Sequence, residues 1–455
     1  MSLYGKVFLP TVMALTSLVQ AQSVCDIQLQ CRANFTGAFN LPDAAFFTNN
    51  TPSINDAGDV AIYISTIAGT DAKMVWYGGD GAGQIVYTSP DGASLSDVSL
   101  NNSGFIAFPQ SFASPTGVIG VDGPTSVAST LVLPGAPFGA TSFSSVRLDD
   151  LGRVGFRASI ASIGNAYITS DNGSQAQHAV EAGVNPASPY SFLFTPAMNE
   201  NRQIAAKVRL GAAGQTGNSQ PDQVLIFNED GSSVLIAEDT DSNPGSDYTS
   251  FDNTVAVNDV GHVAFIANLA AGGRAVVLTD GTTDTIIAST NDPDISDIEF
   301  FHPVMNNIGE VAFRAKDGTG LRAVWVGDGT TLEVVAREHD LVETDLGTAR
   351  IDQHDSNPVF GGNVSINDNG DIAFHCGLTP PDNNQIEWGS GVFVATRSCA
   401  CYADCDTNGT LNVFDYICFG NAYAMNEPYA DCDGSGSLNV FDYICFGNAF
   451  ATGCP

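Results

Sequence analysis

One pattern returns seven times along this chain, and it constrains the fold more than any other feature. Each copy reads apolar residue, Asn or Asp, a second polar residue, any residue, usually Gly, any residue, then a short Val/Ile-Ala-Phe run. The copies run from Ile54 to Ala61, Leu100 to Phe108, Leu148 to Phe156, Met198 to Ala206, Val257 to Phe265, Met305 to Phe313 and Ile366 to Phe374. The leading Asn or Asp falls at 55, 101, 149, 199, 258, 306 and 367, so the intervals are 46, 48, 50, 59, 48 and 61 residues. Periods of that size suit four short strands per unit, as in the blades of a β-propeller. Asn-Asp-x-Gly supplies residues that tolerate positive φ, and the β-prone run after it predicts a turn entering a strand. A second β run follows, such as Ala323 to Val326, and a third, such as Leu332 to Ala336 or Thr285 to Ala288, completes a hairpin. No amphipathic helical stretch precedes Cys399.

The ends of the array sharpen this reading. The seventh copy has a second run, Val392 to Ala395, and then reaches Cys399 with no third strand. A closed ring needs that edge covered. The segment Asp26 to Ala33 resembles the third runs, so it is expected to close the seventh blade, with Cys25 and Cys31 placed for a local disulfide. An open β-solenoid is the alternative, though its repeats are shorter and more regular. The expected fold is therefore mainly β. A seven-bladed β-propeller spans residues 22–398, and a small α-helical module spans residues 399–455. Over residues 24 to 396 the repeats also resemble those of bacterial extracellular propeller families, a resemblance that implies a fold and no reaction. The Asp-box of sialidases is a more distant likeness, because that box needs an aromatic residue at a set distance after its Gly.

Lys and Arg number 16 against 50 Asp and Glu, a formal charge of −34. A polyanion of that size repels nucleic acid and anionic lipid, so neither is expected as a partner. Lys6, the apolar run Val7 to Val19 and the small-residue site Val19-Gln20-Ala21 read as a secretory signal over residues 1–21, with the mature chain starting at Gln22. That run is too short to cross a bilayer, so no membrane span is expected, and the protein is expected outside the cell or on its surface. Seven of the ten cysteines fall at or after Cys399. With an export signal this favours disulfides; zinc is the lesser reading, since paired CxxC knuckles are missing and no histidine follows Cys376.

The tail holds the clearest chemistry. A calcium loop of the EF-hand type draws oxygen ligands from positions 1, 3, 5, 7, 9 and 12 and turns on a Gly at 6. From Asp404 the chain fills these slots with Asp404, Asp406, Asn408, the Thr410 carbonyl, Asn412 through water and Asp415. The register returns 27 residues later as Asp431, Asp433, Ser435, Ser437, Asn439 and Asp442. Ser435 carries no charge, so the second site is expected to bind calcium more weakly. After each loop Leu411 to Ala422 is repeated nearly verbatim as Leu438 to Ala449, predicting a helix on whose core face lie Phe414, Ile417 and Cys418, or Phe441, Ile444 and Cys445. Cys405 pairs by spacing with Cys418 and Cys432 with Cys445, although pairing across the halves is equally allowed. Cys454 could clasp Cys401 or Cys399, and Cys376 the other.

Asp at position 12 and the lack of a helix before either loop separate these units from calmodulin-like sensors. Residues 401 to 455 resemble a dockerin, and Leu-Asn-Val-Phe-Asp-Tyr with the ending Gly453-Cys454-Pro455 is similar to variant dockerins of planctomycete-type bacteria. The resemblance implies two bound Ca2+ ions and a cohesin-like or other cell-surface protein partner.

Two functions fit the whole. The first is a secreted, non-enzymatic propeller that binds a glycan or a protein and is displayed through its tail. The second is a carbohydrate-active enzyme, a glycoside hydrolase or polysaccharide lyase, with its site in the channel. No catalytic residue is assigned: HExxH, GxSxG and P-loop motifs are missing, and His339, His354 and His375 are scattered. His262, Glu310 and Asp371 are expected as solvated turn positions, and Trp76 and Trp325 as core; Trp388 is the third tryptophan.

Overall fold

The computed structural model describes residues 24–47, 49–66, 72–353, 358–397, 402–406 and 410–452. Seven antiparallel sheets form a seven-bladed β-propeller, followed by two helices, α1 (Val413–Met425) and α2 (Val440–Thr452). The fourth blade displays the unit. Its innermost strand is interrupted, Tyr190–Leu193 and then Ala197–Met198; both pieces pair with Ile204–Leu210, which pairs with Asp222–Phe227 and that with Ser233–Glu238. The repeated turn joins the inner strand to the second. The three later strands were legible in the sequence, whereas the inner strand is too short and broken to give an alternating signal.

The Val-Ala-Phe run shows why blades stack. Side chains alternate across a strand, so Val311 and Phe313 pack on the fifth blade beside Ala264 and Ile266, while Ala312 faces the seventh beside Ile372 and Phe374. A small residue on one face makes room for the large residues of the next blade. Phe108, Phe156, Phe265, Phe313 and Phe374 are all fully buried in this way, each stabilising by roughly 1.5–3 kcal/mol. Trp76 and Trp325 are core, as expected.

Asp26–Ala33 pairs antiparallel with Gly389–Thr396 and becomes the outermost strand of the seventh blade. This is the closure the missing third run required. Arg32, buried in that strand, holds it with a two-pronged bond to Asp345 at 2.8 and 2.7 Å and a further bond to the Trp388 carbonyl. Two expectations about cysteines fail here. Cys31 is a buried free thiol, so it is not paired with Cys25, which is itself disulfide-bonded. Cys376 is likewise free and buried; Cys31 packs toward the first blade and Cys376 toward the sixth, so the sheet separates them. The expected signal segment, and Cys399, Cys401 and Cys454, also lie outside the described residues.

Candidate metal centres and channel

Each tail loop gathers three carboxylates. Oxygens of Asp404, Asp406 and Asp415 lie within 4.8 Å of one another, and so do those of Asp431, Asp433 and Asp442. The position-12 aspartate has a second task. Asn412 caps α1, and the Asp415 carboxylate accepts the Asn412 backbone N–H at 2.8 Å; Asp442 accepts that of Asn439 at 2.6 Å. This capping box fixes the carboxylate against the helix start. Three like charges crowded this closely repel, and a hard divalent cation is the group that reconciles them. The two triads therefore fit a calcium ion.

The other predicted ligands are less uniform. The Thr410 and Ser437 carbonyls accept the Asn412 and Asn439 side-chain amides at 2.8 and 2.9 Å. The Ser435 hydroxyl turns toward the Ser437 carbonyl at 3.2 Å, while the Asp431 carboxylate accepts the backbone N–H groups of Ser435 and Gly436. Asn408 lies outside the described residues.

Disulfides Cys405–Cys418 and Cys432–Cys445 tie loop position 2 to the following helix in each half, so pairing is within the halves. That placement overturns the expected core face. Phe414 and Phe441 are each 63% exposed, and Ile417 and Ile444 are 53% and 52% exposed. The core instead holds Phe419 and Phe446, stacked with centroids 4.2 Å apart, with Ala403, Ala422 and Ala430 around them. Tyr402 and Tyr429 each donate a hydroxyl to the other's backbone carbonyl, and Tyr416 meets Phe446 as Tyr443 meets Phe419. The halves thus pack as a two-fold pair, leaving the same apolar stripe outward on each helix.

In the propeller the repeated turns converge on one mouth of the channel. The glycines at 58, 104, 152, 261, 309 and 370 have φ between +80° and +92°, and Arg202 takes the same place at +59°. The leading Asn or Asp is buried, and its Oδ1 accepts the N–H four residues on in every copy. In five blades the Nδ2 then donates to the corresponding carbonyl of the next blade at 2.9 to 3.4 Å. Asp149 has no such donor, and Arg153 bridges instead to the Glu200 carbonyl.

A second ring is complete. The N–H of Asp56, Asn102, Asp150, Glu200, Asp259, Asn307 and Asp368 each donates to the side-chain oxygen of the next at 2.8 to 2.9 Å. These residues line an opening of about 470 Å³. Burial, and the neighbouring Asp149, Asp150 and Asp259, push the Glu200 carboxyl up to about 7. The turn signature alone does not reveal this role, for which the only signal is an amide or carboxylate at both positions of every copy. Glu310 and Asp371 are not the solvated turn residues expected. Glu310 pairs with Arg397 at 2.9 Å, and buried Asp371 accepts the Arg397 N–H. Glu338, His339 and Asp352 also converge, but Arg350 lies 2.7 Å from Asp352 and supplies its counter-charge.

Comparison with solved structures shows the fold. A Vibrio parahaemolyticus oligogalacturonate lyase superposes with a TM-score of 0.50 at 9% identity, covering 83% of this chain and 98% of that one. A Mycobacterium tuberculosis puromycin-hydrolyzing peptidase gives 0.48 at 12% identity; 79% of this chain aligns, spanning 54% of the peptidase's length. No curated protein matches in sequence. A family model does match, over residues 45–316 and 288–401, which take in all seven turns, and the chain accordingly belongs to the family of unknown function DUF7453.

Proposed function

We propose that this is a secreted binding protein whose propeller carries the ligand-recognising surface and whose tail, loaded with two calcium ions, docks it to a cohesin-like or other cell-surface protein. The observation that carries the reading is the duplication of an acidic triad together with an outward apolar stripe. Exposed apolar side chains at one repeated position mark an interaction face rather than a core. Asp404, Asp406 and Asp415, and Asp431, Asp433 and Asp442, would hold the ions, which supply the positive charge that keeps each loop folded against its helix. The stripes of Phe414 with Ile417 and Phe441 with Ile444 would form the contact. The resemblance of the tail to dockerins supports this partner class.

The test uses the full chain over immobilised cohesin modules. Retention in calcium, loss in a chelator, and loss on Phe414→Ser with Phe441→Ser in calcium are expected. Retention that ignores both the chelator and the double variant would overturn the docking reading.

A further inference from the structure

A calcium loop of the EF-hand type is held from both sides, by an entering helix and an exiting one. In this tail the exiting helices are α1 and α2. Among the described residues no entering helix accompanies them: the three-residue turn Pro428–Ala430 precedes the second loop, and Tyr402 to Asp404, ahead of the first, are not helical. Another link must therefore bring the entering carboxylates to the aspartate at position 12.

The disulfides stand where that link is needed. Cys405 lies between Asp404 and Asp406, and Cys418 lies on α1 three residues beyond Asp415; the bridge sets their Cα atoms 5.7 Å apart. Cys432, between Asp431 and Asp433, is joined in the same way to Cys445, three residues beyond Asp442, at 5.8 Å. The entering end of each loop closes on its own helix start. The Asp406 N–H donates to the Asp415 carboxylate at 3.4 Å, and the Asp433 N–H to the Asp442 carboxylate at 3.5 Å. Tyr402 and Tyr429 also anchor the loop entrances, but each bonds the other's carbonyl, so they join the halves rather than a loop to its own helix. The stacked Phe419 and Phe446 are likewise common to both halves. All four bridged cysteines are half-buried, within reach of a reductant in solution, whereas the free Cys31 and Cys376 of the propeller are fully buried.

We propose that each disulfide takes the place of an entering helix and positions its own loop for the ion, so that calcium affinity and the oxidation state of the bridge are coupled, site by site. This rests on the calcium reading of the tail and names the regulation of those sites. Reduction by a dithiol is a two-electron exchange: the protein S–S bond breaks, each sulfur gains a proton, and the dithiol closes to its own disulfide. The freed loop must then be ordered at the expense of ion binding. Linkage makes the effect mutual, because the factor by which the bridge raises calcium affinity is the factor by which calcium favours the oxidised bridge.

Calorimetry with calcium on the full chain tests the coupling. Cys405→Ser with Cys418→Ser should weaken the Asp404 site about tenfold or more and leave the Asp431 site within about twofold, and Cys432→Ser with Cys445→Ser should do the reverse. A bridge that served general stability alone would move both sites together, since the halves share one core. A second measurement needs no cysteine variant. With the wild type equilibrated in a dithiothreitol redox buffer and alkylated, calcium should raise the oxidised fraction at Cys418 and Cys445, mapped by mass spectrometry apart from the propeller's cysteines. It should have no such effect in the variant combining Asp404→Ala with Asp431→Ala. Unchanged affinity in both folded cysteine variants, equal weakening of the two sites by either variant, or an oxidised fraction that ignores calcium would each overturn the coupling and leave the calcium reading standing. A wild type that takes up no calcium would overturn both.

Discussion

The side-chain amide of Asn367 donates to the backbone carbonyl of Asn55 at 2.9 Å, joining residues 312 apart in sequence. It is the last link of the inner ring, and it lies at the mouth where the blades converge. At the opposite edge of the same seventh blade, Asp26–Ala33 closes the sheet. Closure is thus secured both at the axis and at the rim.

Replacing Asn367 by Asp keeps the oxygen that accepts the Asp371 N–H but sets a carboxylate against the Asn55 carbonyl. A loss of about 1–3 kcal/mol is expected, the cost of an unmade buried hydrogen bond. Urea denaturation of the two proteins side by side measures it.

Gly261 has φ +86° with nothing within 4 Å of an added Cβ, so its alanine variant isolates backbone strain from steric clash. Gly261→Ala should cost about 1–2 kcal/mol, the left-handed penalty for an L-residue. An unchanged unfolding midpoint would show that the turn relaxes.

The inverted roles of the tail aromatics give a contrast. Phe414→Ser with Phe441→Ser removes exposed rings and should leave the tail's unfolding nearly unmoved. Phe419→Ala removes a fully buried ring at the two-fold contact and should cost about 3–5 kcal/mol. Near-ultraviolet dichroism with thermal melting separates the outcomes.

Glu200 titrates near 7 in the folded ring against an ordinary value of 4.5. A carboxyl whose folded pKa is raised contributes stability that is fully present below 4.5 and lost as pH rises through 7. Stability should therefore fall between those values, and Glu200→Gln should flatten that part of the profile. A carbon-detected NMR titration of the Glu200 carboxyl should place its midpoint near 7; a midpoint near 4.5 would remove the effect.

Much of the architecture could be read from particular residues. The seven Asn-Asp-x-Gly turns counted the blades, and the unpaired run after Val392 located the N-terminal strand. The two acidic triads were legible because carboxylate spacing within one short segment is local information. The rest depends on distant partners. Asn55 and Asn101 read as turn residues, since nothing in one repeat says that an amide will reach the next. Phe414 looked like core because helical spacing cannot tell which stripe the Cys405–Cys418 disulfide and the second half will cover.

The two proposed calcium sites carry the whole account of the tail, and calorimetry of calcium binding to the full chain tests them most directly. Two saturable events are predicted, the one at Asp431, Asp433 and Asp442 weaker, and both should vanish in the variant combining Asp404→Ala with Asp431→Ala. A wild-type protein that takes up no calcium, or a double variant that binds it as the wild type does, would contradict the account.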